Sequence, residues 1–311
     1  MMKQSLLTFD IVYLYIVLIS LLSIIITNMF YTYMPKIFIK HKKQWSKSKF
    51  MSFFYDHSKK VKIICWQIVG IFFLSYLIYF RFFNDWVKLI NYATNLDWSK
   101  IKTPDYNHST IFSSALLLDM CPFMAIVLSL LFIFDYKGKI SSFFAPYCIF
   151  GGVLTVNFVR FSEPNIPFNL HYFFVGTTIN PLYFFMHWYL MVFGILAFRR
   201  NKNPNYFDLV YLHLIAILYF SYVLIISSDF KVSYNITGIR EYDWNPGGEY
   251  EGVSMIFNNK VSYPWIMIIG FTFVWFIIVS MWILRVLYTK NADKISKIFK
   301  TKKNIEKKLQ Y

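Results

Sequence analysis

Residues 111–134 read Ile111-Phe112-Ser113-Ser114-Ala115-Leu116-Leu117-Leu118-Asp119-Met120-Cys121-Pro122-Phe123-Met124-Ala125-Ile126-Val127-Leu128-Ser129-Leu130-Leu131-Phe132-Ile133-Phe134. Asp119 is the one charged residue in the run. About 20 apolar residues cross the ~30 Å hydrocarbon layer of a bilayer at about 1.5 Å per residue, so this stretch reads as a membrane-spanning helix. Six further apolar blocks recur near 9–30, 63–83, 140–159, 171–198, 209–228 and 263–285. The bulk numbers agree: 57% of residues are hydrophobic, 15% are charged and the mean hydropathy is +0.44, whereas soluble domains carry about 25% charge. A membrane β-barrel would show short alternating segments instead. The expected fold is all-α, a polytopic integral membrane bundle of about seven helices. A single transmembrane domain over 1–288 precedes a basic tail at 289–311.

Charge sets the expected orientation. The connector after the first block carries Lys36, Lys40, Lys42, Lys43, Lys47, Lys49, Lys59, Lys60 and Lys62 against Asp56, and the tail carries eight more lysines against Asp293 and Glu306. With the N-terminus outside, these two segments, 135–139 and 199–208 are all cytoplasmic and hold most of the 32 Lys and Arg residues, as the positive-inside bias requires. An even number of crossings would put one lysine-rich segment outside. The net charge of +16 comes without base-stacking motifs or zinc spacing. The expected partners are therefore anionic lipid headgroups, not nucleic acid, and nothing identifies a protein partner. Abundant Lys, Asn, Ile, Phe and Tyr point to an AT-rich bacterial genome and hence to a bacterial plasma membrane.

The cysteines Cys65, Cys121 and Cys148 all lie in apolar blocks, which excludes a disulfide framework. No nucleotide, haem or zinc signature is present, so neither cofactor nor metal is expected. The first block is too long for a signal-peptide core and its basic flank follows it, so it reads as a retained span. Long outer loops are expected near 84–110 and 229–262. Trp86 and Trp98 read as interfacial anchors of the first, and Asn245-Pro246-Gly247-Gly248 as a turn in the second.

Polar residues inside a span are expensive, which makes spans three and five conspicuous. Asp119 is expected to face the bundle interior and Pro122 to kink its helix. In the fifth block, Gly176, Thr177, Asn180, Tyr183 or Phe184, His187 and Gly194 share one helical stripe. Gly151 and Gly152 in the fourth read as a close-packing surface, and His213 in the sixth as structural. Cys121 is a potential nucleophile if a base is adjacent, and His187 is the best base by type. On continuous helices Cys121 lies ~15 Å and His187 ~24 Å below the outer surface, a mismatch of about 9 Å. The fifth block, ~42 Å long as one helix, must tilt strongly or break near Pro181 to be accommodated. Asp119 and Cys121 would project about 200° apart on one helix.

Leu118-Asp119-Met120-Cys121 opening a span, Gly151-Gly152 in the next, Glu163-Pro164 outside and an aromatic helix ending in Phe184-Phe185-Met186-His187 together resemble the YwaF-like integral membrane family. Its members are seven-span bacterial proteins, and its eukaryotic relatives include a transmembrane acyltransferase acting on ether phospholipids through a cysteine. The resemblance covers about residues 110–200. It implies that Cys121 matches the family's cysteine and His187 the histidine of its aromatic helix. Asp119-Met120 departs from the polar or histidine residue usual before that cysteine.

Two functions follow as expectations. In the first, a lipid-modifying acyltransferase carries the acyl group on Cys121 with His187 as base, while Asp119, Asn180, Thr177 and Tyr183 support or bind substrate. In the second, a transporter or permease component lines a polar pathway with Asp119, Thr177, Asn180 and His187. A non-catalytic membrane scaffold is the third alternative.

Overall fold

The computed structural model describes residues 18–27, 29, 58–101, 105–162, 169–177, 181–201, 203–234, 236–245, 248, 250, 251, 254, 257 and 260–309, with side chains at 58–59, 157–162 and 292–309 left aside. Asn180, Glu163-Pro164, most of the lysine-rich connector and parts of the 229–262 loop lie outside the described residues. Among the described residues the chain is helical, with one isolated bridge between Gly176 and Pro181 and no strand. The helices are α1 (Leu18–Thr27), α2 (Ser58–Leu77), α3 (Phe83–Thr94), α4 (Tyr106–Ala115), α5 (Met120–Phe134), α6 (Lys139–Ser162), α7 (Leu170–Phe174), α8 (Tyr183–Phe198), α9 (Asp208–Asp229) and α10 (Trp265–Leu309).

Among the described residues five helical runs are long and apolar enough to cross a membrane: Lys60–Thr94, Tyr106–Phe134, Lys139–Val156, Asp208–Asp229 and Trp265–Asn291. The shorter α1 and α8 are also apolar. Each of the seven apolar blocks thus carries a helix, and the outward-facing side chains suit lipid: Ile68, Ile217, Leu218 and Phe273 are all well exposed.

Small residues set the packing. A Cβ on Gly152 would sit 2.5 Å from the Met191 nitrogen, and one on Gly194 would sit 3.1 Å from the Cys148 Cβ. The antiparallel pair α6–α8 is therefore held at backbone contact by a glycine from each side, the device that lets membrane helices gain dispersion contacts where lipid supplies no hydrophobic drive. Gly70 does the same for α2 on α5, where a Cβ would meet the Ser129 carbonyl oxygen at 2.7 Å. Tyr189 fills the space between these three helices. It stacks on Phe73 at 4.1 Å and bonds the Ser129 hydroxyl at 2.8 Å.

Each end of the bundle is tied separately. At one end Arg200 donates to the Asp135 carbonyl and the Ser141 hydroxyl, Arg285 to the Asn201 carbonyl, and Lys139 stands 3.9 Å from Asp208. At the other, His108 bonds the Phe230 carbonyl oxygen and the Ser233 N–H donates to the Ser109 hydroxyl.

Several sequence expectations change. The second helix does not stop near 83 but continues through a π-helical turn, Ile78–Phe82, into α3. Much of the expected 84–110 loop is therefore helix. The last helix, α10, runs unbroken through the basic segment to Leu309. Spans three and five are both interrupted.

Candidate functional site

The first interruption separates α4 from α5. Leu117 adopts a left-handed backbone, φ 57°, and the Leu118 N–H reaches back to the Ser113 carbonyl at 3.0 Å. This is the Schellman-type helix stop, normally built on glycine. A leucine there costs roughly 1–2 kcal/mol. Within a membrane the freed carbonyls need donors, and side chains from three other segments supply them. The Trp86 indole N–H donates to Ala115, the Tyr222 hydroxyl to Leu116, and both the Tyr219 and Thr237 hydroxyls to Leu118. Trp86 therefore does more than anchor at an interface.

Asp119 is not inside a helix. It caps α5, its carboxylate accepting the Cys121 N–H at 3.2 Å, where the helix dipole favours negative charge. Pro122 occupies the first turn of α5, where the N–H it lacks would have no partner in any case. The expected mid-span kink is instead a helix start, and the 200° argument separating Asp119 from Cys121 lapses with the continuous helix.

The second interruption separates α7 from α8. Gly176 has φ 85° and Leu182 φ 58°; the Leu182 N–H bonds the Val175 carbonyl at 2.8 Å, closing the loop that Pro181 requires. Thr177 lies in this loop, half-buried, and Asn180 falls outside the described residues. Tyr183 opens α8. Its carbonyl accepts from His187 Nδ1 at 2.5 Å, and since a carbonyl only accepts, the proton of the neutral ring sits on Nδ1. His187 Nε2 keeps its lone pair, the form a general base needs.

The two breaks remove the depth mismatch. A Cβ on Gly151 would lie 3.5 Å from the Cys121 sulfur, and one on its neighbour Gly152 would lie 2.7 Å from the His187 carbonyl oxygen. Cys121 and His187 thus stand at the same level of α6, against adjacent faces of it. A small apolar cleft opens nearby, lined by residues including Met120, Met124, Tyr147 and Ala216. It lies between α5, α6 and α9, not between spans three and five, and neither Cys121 nor His187 lines it.

Arg81 is the residue the sequence reading passed over. The π turn carries it into the bundle beside α8, where its Nη1 meets the Met186 sulfur at 3.7 Å and its Nε stands 4.0 Å from the Asp85 carboxylate. Single π turns inside α-helices recur at functional sites, but Ile78-Tyr79-Phe80-Arg81-Phe82-Phe83 looks like the end of a span with a snorkelling arginine. The usable signal was Asp85, four residues on, the partner expected of an arginine kept inside a helix bundle. His213 is held by the Leu209 carbonyl and the Trp275 indole, a structural arrangement. Among the described residues no three His, Cys, Asp or Glu side chains gather as metal ligands.

Chemically, the two interrupted helices and the π turn beside them offer a fixed cation, a capping carboxyl group, an imidazole and a thiol. A model for a family of unknown function (DUF5378) matches residues 15–310. An uncharacterized Mycoplasma genitalium protein, MG135, is 32% identical over 200 residues, 63% of this chain and 71% of its own length. Its homologue in Mycoplasma pneumoniae is 30% identical over 149 residues, 46% of this chain and 50% of its own length. No solved structure matches.

Proposed function

The chain belongs to the DUF5378 family, whose function is unknown, and from that premise we propose a seven-span bacterial plasma-membrane protein that takes a polar solute or proton into an outward-facing site, as a component of a permease. The observation that carries this reading is that Arg81 sits against Met186, beside His187 in the first turns of α8, while Asp119 caps α5, both α5 and α8 being the second halves of interrupted runs. Discontinuous helices with capped ends inside the bundle are how membrane transporters build substrate sites. The orientation, N-terminus outside and tail cytoplasmic, is supported by segments 135–139 and 199–208 being tied together at one end with Arg285, and by the positive-inside bias. The lysine-rich segments then meet anionic lipid, and energy coupling would come from a protein partner.

A second reading keeps the likeness to the YwaF-like family and its cysteine acyltransferase. It is favoured by Cys121 and His187 flanking Gly151-Gly152 with Nε2 available as base. Proteoliposomes separate the two. The permease reading expects proton flux, followed with an internal pH dye, to be lost in Asp119→Asn and kept in Cys121→Ala. Flux kept in Asp119→Asn, with labelled-acyl transfer between phospholipids lost in Cys121→Ala, would overturn it in favour of acyl transfer.

A further inference from the structure

We propose that Arg81 is the binding residue for an anionic group of phosphate type, carried by a lipid headgroup or free in solution; the inference rests on the helix junction being a substrate site. A guanidinium stays charged at any physiological pH and brings five N–H donors in a planar fork. Buried in a membrane bundle, such a charge needs close anionic partners. Among the described residues Arg81 makes one hydrogen bond, to the weak acceptor Met186 Sδ at 3.7 Å, and its buried Nε makes none. The nearest carboxylate, Asp85, stands at 4.0 Å and also feels Lys88. Asp119 is committed to the start of α5 through the Cys121 N–H.

The same molecule shows what a satisfied arginine looks like. Arg200 donates at 2.7 Å and 3.2 Å and lies 4.8 Å over the Trp66 ring. Against that standard Arg81 has donors in excess. A phosphate matches the fork with two parallel N–H···O bonds. An amphiphile also fits the surroundings, because Tyr79 and Phe83 on the same turn are 72% and 60% exposed and give an apolar tail a surface to lie on.

The test is native mass spectrometry of the full chain from nonionic detergent with short-chain phosphatidylglycerol, phosphatidylcholine or inorganic phosphate, at high salt to suppress binding at the lysine-rich tail. Wild type is expected to retain phosphatidylglycerol over phosphatidylcholine. Arg81→Gln should weaken that binding at least about tenfold, with Arg81→Lys, which keeps the charge but not the fork, falling between. Retention of inorganic phosphate as well would assign a free phosphate site; retention of the lipid alone would assign a headgroup site. Equal affinity in wild type and both variants, or no binding of either anionic probe by wild type, overturns the proposal. Flux lost in Asp119→Asn alongside unchanged anion binding in Arg81→Gln would sink this inference while leaving the permease reading intact.

Discussion

Two regions of the bundle bury charge in opposite ways. At the end tied by Arg200 and Arg285, each guanidinium donates to a backbone carbonyl and lies over an aromatic ring, Trp66 for Arg200 and Phe198 for Arg285. Asp135 accepts two backbone N–H groups, from Lys139 and Ser141. That end is a clamp. At the helix junction Arg81 meets a sulfur at 3.7 Å, the Asp85 carboxylate at 4.0 Å and the Phe82 ring at 6.0 Å, and the backbone holds leucines in left-handed conformations at 117 and 182. Backbone strain persists where surrounding structure over-determines it, and such outliers cluster at working sites.

The contrast is open to attack by mutation. Arg200→Met should cost most, about 3 kcal/mol, because it removes two charge-assisted hydrogen bonds, to the Asp135 carbonyl and the Ser141 hydroxyl, together with the stacking on Trp66. Unfolding in mixed micelles would measure it. Tyr222→Phe, which removes a single donor from the Leu116 carbonyl at the first break, should cost about 1 kcal/mol. Arg81→Met should change stability by no more than about 1 kcal/mol in either direction, since replacing a poorly paired buried charge by an apolar side chain is often neutral. A loss at Arg81 as large as that at Arg200 would erase the distinction between clamp and site.

Much of the frame was legible in the residues. Apolar length located the five helical runs long enough to cross a membrane and the two shorter apolar helices, and polar content singled out the third and fifth apolar blocks. The breaks were only half visible. Pro181 announced the second, but nothing in Leu116-Leu117-Leu118 signals a left-handed turn, because leucine is not the residue such a turn selects. Asp119-Met120-Cys121-Pro122 did carry a helix-start pattern, an acidic cap followed by proline in the first turn. A continuous apolar run on both sides hid it, and the acid read as buried mid-helix. Arg81 was masked by position: a span cut at residue 83 puts it at an interface, whereas the helix runs on to Thr94. Those misreadings share one cause. Hydropathy measures where the chain can be in lipid, not where its backbone hydrogen bonds end.

The central claim, an outward-facing polar site at the interrupted helices, is tested most directly by thiol labelling of Thr177→Cys in a chain lacking Cys65, Cys121 and Cys148. Ser142→Cys, at the clamped end where the wild-type hydroxyl bonds the Phe198 carbonyl, serves as the reference. A membrane-impermeant reagent added to the outer face should modify the cysteine at 177 and leave that at 142 untouched. A cysteine at 177 that is inert from outside, or that reacts only from the cytoplasmic face, would contradict the account.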